Sequence, residues 1–238
     1  ATGQGSTDDT VSWTPNTAGT YYYQCSVHGS MVGTITVTSA GDGIVNIADY
    51  GADASKTDGT NVTAINNAIS ALGTNGGTVY FPGGQFYLNA AITLGASNNS
   101  IRFVGTGQQN FGGGGDSGGT VLRRDQDDEF FNITNSRAIH FVGITFKGGS
   151  ASSSGGNDGV SGGTGAITVD ANAGCQGHLY ENLVFYGIMN CLNFIGLSDS
   201  IIRGCRFRHP PTDKGTGAFI TLSSNPVGMD PTDESTGE

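Results

Sequence analysis

Gly76-Gly77-Thr78-Val79-Tyr80-Phe81-Pro82-Gly83 closes a stretch that begins near Ile44 and decides the fold. The stretch opens with Asn46-Ile47-Ala48-Asp49-Tyr50-Gly51-Ala52 and continues through Asp58-Gly59 and Thr63-Ala64-Ile65. Between these segments, apolar residues recur at helical spacing at Val62, Ile65, Ile69 and Leu72. The order predicted is therefore a strand, a short amphipathic helix, and a second strand that ends in a Pro-Gly turn.

The predicted helix runs from about Asn61 to Leu72. Thr60 or Asn61 is suited to its N-cap, because their side chains accept hydrogen bonds from free backbone N–H groups. Gly73 is suited to its C-terminal end, where a left-handed conformation is common.

Beyond Gly95 the chain contains a ragged internal repeat. Three segments align on their apolar positions: Ile139 to Phe146, His178 to Phe185, and Ser200 to Phe207, with an earlier copy at Ile101 to Gly105. Phe185 and Phe207 are 22 residues apart, whereas the longer interval before Phe185 contains a Gly- and Ser-rich insertion. Such a period predicts stacked structural repeats that bury an inner face together. Strand alternation through the second segment predicts that Glu181 points inward with Leu183, unless a turn or bulge intervenes.

Composition narrows the class of protein. The chain has 238 residues, 41 of them Gly, and only 13% are charged, which favours short strands joined by tight turns. A net charge of −10 argues against nucleic acid as a partner, and no apolar run is long enough to insert in a membrane.

The four cysteines are too scattered for a disulfide framework, so buried reduced thiols are predicted.

The stretch from Ile44 to Gly83, followed by these repeats, resembles the opening of the pectate-lyase-like, right-handed parallel β-helix family. Many tailspikes and tail fibres of tailed phages belong to that family. The resemblance implies an all-β fold over residues 41–238, with a short helix that caps the open end of the β-helix. It also implies contact with carbohydrate, by binding or by cleavage.

Residues 1–40 differ from the rest and predict strands at Thr10 to Thr14, Thr20 to Cys25 and Gly33 to Val37. Cys25-Ser26-Val27-His28-Gly29-Ser30-Met31 resembles the C-terminal ligand loop of the cupredoxins. That resemblance implies copper ligands at Cys25, His28 and Met31, because a blue-copper site uses two His, one Cys and a weak axial Met. No His precedes His28, so the first imidazole ligand is missing. The alternative is a small cupredoxin-like β-segment that packs or links without copper.

The densest charge cluster contains four acidic residues, Asp125, Asp127, Asp128 and Glu129. Paired carboxylates are the catalytic groups of glycoside hydrolysis, and several together suit Ca²⁺. Residues adjacent in sequence rarely face one substrate, so a solvated turn is the favoured interpretation and these four are only candidate catalytic residues.

A second charged group flanks Phe207. Arg206 and Arg208 share the outer face of a strand if Phe207 points inward. They are candidate ligands for an anionic sugar, with simple surface solvation as the alternative.

The function expected from these resemblances is that of a virion structural protein. It would be a tail fibre or tailspike that forms a homotrimer, contacts other phage tail proteins and binds surface polysaccharide of the bacterial host. The first alternative is a polysaccharide lyase or glycoside hydrolase, carried on the virion or secreted. The second alternative is a copper redox protein. No cofactor is expected for the first two, and a chain of this kind is expected to be part of a longer parent.

Overall fold

The computed structural model of the protein describes residues 19–25, 28–37, 43–109, 118–124, 129–148, 166–170, 175–188, 190–196, 199–208 and 219–223. The chain divides into two compact units, residues 1–42 and residues 43–238. Each unit is described separately.

The first unit contains an antiparallel pair of strands, β1 (Gly19–Gln24) and β2 (Val32–Val37). The loop between them is closed by two backbone hydrogen bonds, from Cys25 N to Met31 O (2.9 Å) and from Met31 N to His28 O (2.9 Å). The two strands predicted here are confirmed, and the strand predicted at residues 10–14 lies outside the described residues.

Across its described residues, the second unit consists of three parallel sheets, one α-helix and one short 3-10 helix. The first sheet contains β3 (Ile44–Asn46), β4 (Gly77–Phe81), β7 (Ile101–Gly105), β10 (His140–Val142), β13 (Leu179–Glu181) and β16 (Ile201–Arg203). The second contains β5 (Gly84–Tyr87), β8 (Thr120–Arg123), β11 (Ile144–Lys147), β14 (Val184–Tyr186) and β17 (Arg206–Arg208). The third contains β6 (Ile92–Leu94), β9 (Phe131–Thr134), β12 (Ile167–Asp170), β15 (Leu192–Ile195) and β18 (Ile220–Ser223). From β4 onward, each strand pairs with the strand three places later, so successive strands join the three sheets in rotation.

The strand register confirms the internal repeat. In the first sheet Phe141 lies opposite Tyr180, and in the second sheet Phe185 lies opposite both Phe146 and Phe207. The earlier copy is confirmed as well, since Phe103 lies opposite Phe141. The aligned apolar positions of the sequence are therefore neighbours in space.

A left-handed residue joins the first sheet to the second at three successive levels. These residues are Gly143 (φ 66°), Asn182 (φ 52°) and Gly204 (φ 64°), and Gly and Asn are among the residues that adopt this conformation most readily. The turn at Asn182 interrupts the alternation of side chains, which corrects the prediction for Glu181. Its carboxylate points outward and forms an ion pair with Arg203 (3.0 Å).

Aromatic side chains fill the interior in two stacks. Phe141 stacks on Phe103 with ring centroids 5.0 Å apart and on Tyr180 at 5.9 Å. Phe185 stacks on Phe146 at 5.2 Å and on Phe207 at 5.4 Å. Each such pair stabilises the fold by about 0.5–1.5 kcal/mol beyond the apolar area that it buries.

The helix α1 (Thr60–Leu72) buries Ala64, Ile65, Ala68 and Ile69. Ile65, Ala68 and Ile69 belong to the same apolar core as Val45 of β3 and Val79 of β4. The helix therefore covers apolar residues of the first strands of the first sheet. The 3-10 helix (Ile47–Tyr50) precedes it and buries Ile47.

The start of α1 differs from the prediction. Its N-cap is Gly59 (φ 72°), which has no side chain to accept a hydrogen bond, rather than Thr60 or Asn61. Asn61 instead lies buried in the first turn, where its Oδ1 accepts a hydrogen bond from Asp53 N (2.8 Å) and its Nδ2 donates to Tyr87 O (3.2 Å). At the other end, Gly73 is the C-cap, as predicted.

Buried hydrogen bonds link Ser136, His178 and Tyr180 in the interior. The His178 side chain is 1% exposed. Its Nε2 lies 3.0 Å from the carbonyl oxygen of Ser136, which can only accept, so Nε2 carries the proton. Nδ1 then accepts a hydrogen bond from the Tyr180 hydroxyl (3.3 Å). Burial lowers the pKa of His178, and the ring is held neutral.

The four cysteines are free thiols, as predicted, but Cys25 and Cys205 are only half-buried. Cys175 and Cys191 are buried, and burial raises the pKa of both thiols. They act as small apolar residues of the core.

Candidate functional site

The outer face of the second sheet carries two parallel rows of side chains. Its central residues, such as Phe86 and Phe146, point into the core, so the residues on either side point outward. The residues that precede the central positions form one row, here called the covered row: Gln85, Val121, Thr145, Val184 and Arg206. The residues that follow them form the basic row: Tyr87, Arg123, Lys147, Tyr186 and Arg208.

The basic row runs across all five strands of the sheet. Neighbouring strands lie about 4.8 Å apart, so the row spans about 19 Å from Tyr87 to Arg208. Arg208 is exposed, and the other four residues are partly exposed. The Lys147 ammonium lies 5.8 Å from the centroid of the Tyr186 ring, a cation–π distance. The row therefore presents two aromatic rings and three cations on backbone that the sheet fixes in place.

The middle of the covered row is shielded from solvent, whereas its ends, Gln85 and Arg206, are exposed. Val121, Thr145 and Val184 are 2%, 0% and 1% exposed although they point away from the core. The backbone N–H of Gln109 donates to Thr145 Oγ1 (2.9 Å), so the segment that follows β7 lies against this face. Gly107 N anchors the same segment to Gly143 O (3.1 Å). The segment borders the basic row on one side.

The second sheet is basic within an acidic protein. Its five strands contain four of the ten Lys and Arg residues of the chain, namely Arg123, Lys147, Arg206 and Arg208. The same strands contain no Asp or Glu. With a net charge of −10 for the whole chain, this local excess of cations distinguishes the face from the average surface.

The two arginines singled out from the sequence lie on this face. Arg206 ends the covered row and Arg208 ends the basic row, and both point outward beside Phe207 as predicted. Sequence reasoning missed the other members of the basic row. A signal for them exists, because Tyr87, Lys147 and Tyr186 each follow directly the phenylalanine that recurs in the repeat.

The acidic cluster is only partly described. Asp125, Asp127 and Asp128 lie outside the described residues. Glu129 is 8% exposed, and its backbone carbonyl accepts a hydrogen bond from Nη1 of Arg124 (2.6 Å), which is itself 2% exposed. Burial keeps Glu129 away from any polymer that passes over the surface.

Two of the three predicted copper ligands, Cys25 and His28, lie close together. Cys25 Sγ lies 3.6 Å from His28 Nδ1 and accepts a hydrogen bond from His28 N (3.4 Å), while the Met31 side chain is 60% exposed. Within the described part of the chain, no three His, Cys, Asp or Glu side chains are grouped so that they could hold a metal ion. The second imidazole of a blue-copper set is also missing ahead of His28. Copper binding at Cys25, His28 and Met31 therefore stays a prediction, with one thiol and one imidazole side by side.

Comparison with known proteins identifies no family. No protein-family model matches the chain, and no curated protein matches it. Among solved structures it is similar to ORF18 of Geobacillus virus E2, with a TM-score of 0.39 and 15% identity over 76% of this chain and 47% of that one. It is also similar to a protein from Parabacteroides merdae titled a glycosyl hydrolase, with a TM-score of 0.37 and 10% identity over 76% and 93% of the two chains. The chain thus spans about half the length of the phage protein, and likenesses this low carry no argument about function.

None of the helices in the described ranges is both long and apolar enough to cross a membrane.

Proposed function

We propose that the protein is a virion structural protein of a tailed phage, a tail fibre or tailspike that binds polysaccharide on the surface of the bacterial host. In this proposal the second unit is a right-handed parallel β-helix. The rotation of successive strands among three parallel sheets supports it, since connections between parallel strands are right-handed in nearly all proteins. The sequence resemblance of residues 44–83 supports the same assignment.

The basic row is the observation that carries the proposed binding function. Tyr87 and Tyr186 offer ring faces on which the apolar face of a sugar can pack, and the cations beside them can bind hydroxyl or acidic groups. All five side chains stand on strands rather than on loops, so little backbone entropy is lost when a ligand binds. A long polymer suits a row that extends across an entire sheet.

Binding is favoured over cleavage at this face. Hydrolysis of a glycosidic bond generally requires two carboxyl groups that flank the bond. The strands of the second sheet supply none. We further propose that the protein assembles as a homotrimer with other tail proteins, as the fibres that it resembles do.

The test is binding of the purified full chain to an array of bacterial capsular and O-antigen polysaccharides. The substitutions Arg123→Gln, Lys147→Gln and Arg208→Gln, made together, are expected to abolish binding to every polymer that the parent chain binds. Arg102→Gln is the matched control, because Arg102 is an exposed arginine on the first sheet. It should leave binding unchanged.

Two results would overturn the proposal. One is an array on which the parent chain binds no polysaccharide. The other is binding that the triple substitution leaves intact while Arg102→Gln removes it. Release of new reducing ends from a bound polymer would instead support the depolymerase alternative.

A further inference from the structure

We infer that the last strand of the third sheet, β18, is the edge at which two copies of this chain join, antiparallel and about a two-fold axis at Thr221. The inference goes beyond the proposed function and does not depend on it. It follows from the last strands of the three sheets, β16, β17 and β18, here called the end strands.

The edge strand β18 exposes apolar side chains at positions that the preceding strand buries. Ile220 lies opposite Leu192, and Leu222 lies opposite Phe194. The two residues of β15 are at most 1% exposed, whereas Ile220 is 37% exposed and Leu222 is 75% exposed. Among the described strands β18 pairs with β15 alone, so its second edge can bind a further strand.

Charge distinguishes β18 from the other end strands. Its sequence is Ile-Thr-Leu-Ser, whereas β16 contains Arg203 and β17 contains Arg206 and Arg208. Charged side chains on an edge strand are a common protection against pairing with another chain, and an uncharged apolar edge favours association. The end strand that lacks this protection is β18.

The register of β18 makes its edge complementary to itself. Ile220 and Leu222 follow the inner face of the sheet, so Thr221 between them points outward. If two copies pair antiparallel with Thr221 opposite the partner's Thr221, Ile220 meets the partner's Leu222 on the inner side. Such a contact uses the same surface of both copies and closes after two of them.

Neither of the other end strands matches itself in this way. If β17 paired with its copy about Phe207, Arg206 would lie opposite the partner's Arg208, and like charges directly opposite each other destabilise a pair. If β16 paired with its copy about Ile202, the apolar Ile201 would lie opposite the partner's Arg203. The two-fold axis is therefore assigned to β18.

The contact is different from the three-fold assembly proposed above. A two-fold contact joins copies in pairs, either two single chains or the members of two trimers. The mass of the assembly is then an even multiple of the 24.3 kDa chain.

The first test measures the mass of the full chain by sedimentation velocity over a series of concentrations. We expect an even multiple of the chain mass. Leu222→Lys should raise the dissociation constant of the pair about a hundredfold, because each copy loses a buried leucine and gains a charge. Ile201→Lys is the matched control, since it adds the same charge to an exposed apolar residue of another end strand, and it should leave the mass unchanged.

The second test reads the register and does not require the lysine variants to fold. Thr221→Cys should form a disulfide between two copies under mild oxidation, because residues directly opposite in an antiparallel pair lie about 5 Å apart. Ser223→Cys should not, because the two copies of that position lie about 14 Å apart along the strands. The parent chain, with its own four cysteines, gives the background.

Three results would overturn the inference. One is a parent chain that is monomeric at every concentration, since the edge would then be covered by residues 224–238 or by a different protein. Another is an assembly whose mass Leu222→Lys leaves intact. The third is a disulfide through Ser223→Cys in place of Thr221→Cys. None of these results bears on polysaccharide binding, which has its own test.

Discussion

Lys147 and Tyr186 lie directly opposite each other on neighbouring strands, and the lysine ammonium is 5.8 Å from the centroid of the tyrosine ring. Such a contact stabilises an exposed pair by about 0.5–1 kcal/mol. Its larger consequence is positional, because it holds a flexible cation on the outer face of the sheet. The same register that aligns Phe146 with Phe185 inside aligns Lys147 with Tyr186 outside.

The interior stack makes a prediction about stability. Phe141 is fully buried between Phe103 and Tyr180, so Phe141→Ala should lower the free energy of unfolding by about 3–5 kcal/mol. Phe207 is only partly buried against the core, and Phe207→Ala should cost clearly less. Urea unfolding of the two variants checks this, and equal losses would contradict the placement of Phe141 at the centre of the core.

Close packing of two turns makes a second prediction. A Cβ atom added at Gly148 would collide with the backbone carbonyl of Gly187, which cannot move without breaking the strand pairing. Gly148→Ala should therefore destabilise the protein by about 1–3 kcal/mol. At Gly95 nothing lies within 4 Å of an added Cβ, so Gly95→Ala should change stability by less than about 0.5 kcal/mol. A similar melting temperature for both variants would contradict the close approach at Gly148.

The buried histidine predicts how stability depends on pH. Burial lowers the pKa of His178 in the folded state, whereas in the unfolded chain it titrates near about 6.5. The unfolded state therefore binds more protons below that pH, so the stability contributed by neutral His178 is present above about pH 6.5 and is lost as the pH falls. Urea unfolding between about pH 7 and about pH 5 should show this loss.

Two measurements isolate His178 as the cause. His178→Gln should unfold more readily at neutral pH and show a shallower pH dependence than the parent chain. Should that variant fail to fold, an NMR titration of the parent chain gives the same information. A His178 ring that titrates at or above its ordinary pKa would refute this account.

We expect that the first unit does not form a blue-copper centre. Cys25 and His28 supply one thiolate and one imidazole, and no second imidazole precedes them in the chain. Copper added to the reduced protein should therefore not produce the intense visible absorption of a blue-copper centre. A strong blue band that Cys25→Ser removes would show that a ligand outside this segment completes the site.

The sequence predicts those parts of the fold in which a pattern repeats. Phe146, Phe185 and Phe207 each end a segment with similar spacing of apolar residues, and that recurrence is enough to align three strands of the second sheet. Glu181 departs from simple alternation because the left-handed Asn182 changes the direction of the side chains after it. The N-cap differs because the left-handed Gly59, one residue before Thr60, takes that position.

The basic row as a whole could not be predicted from the sequence, for a different reason. Its members are separated by intervals of unequal length, so Arg123 and Lys147 become neighbours only once the register of the strands is known. Of its members, only Arg208 is predicted from the sequence, together with Arg206 of the covered row, because the phenylalanine between them marks the inward direction locally.

The most direct test of the account is hydroxyl-radical footprinting of the full chain with and without a bound polysaccharide from the bacterial surface. Tyr87 and Tyr186 should both become protected, while Tyr80 on the first sheet and Tyr22 in the first unit react as before. Protection of Tyr80 or Tyr22, with Tyr87 and Tyr186 unchanged, would show that the polymer binds elsewhere and would contradict the assignment of the basic row.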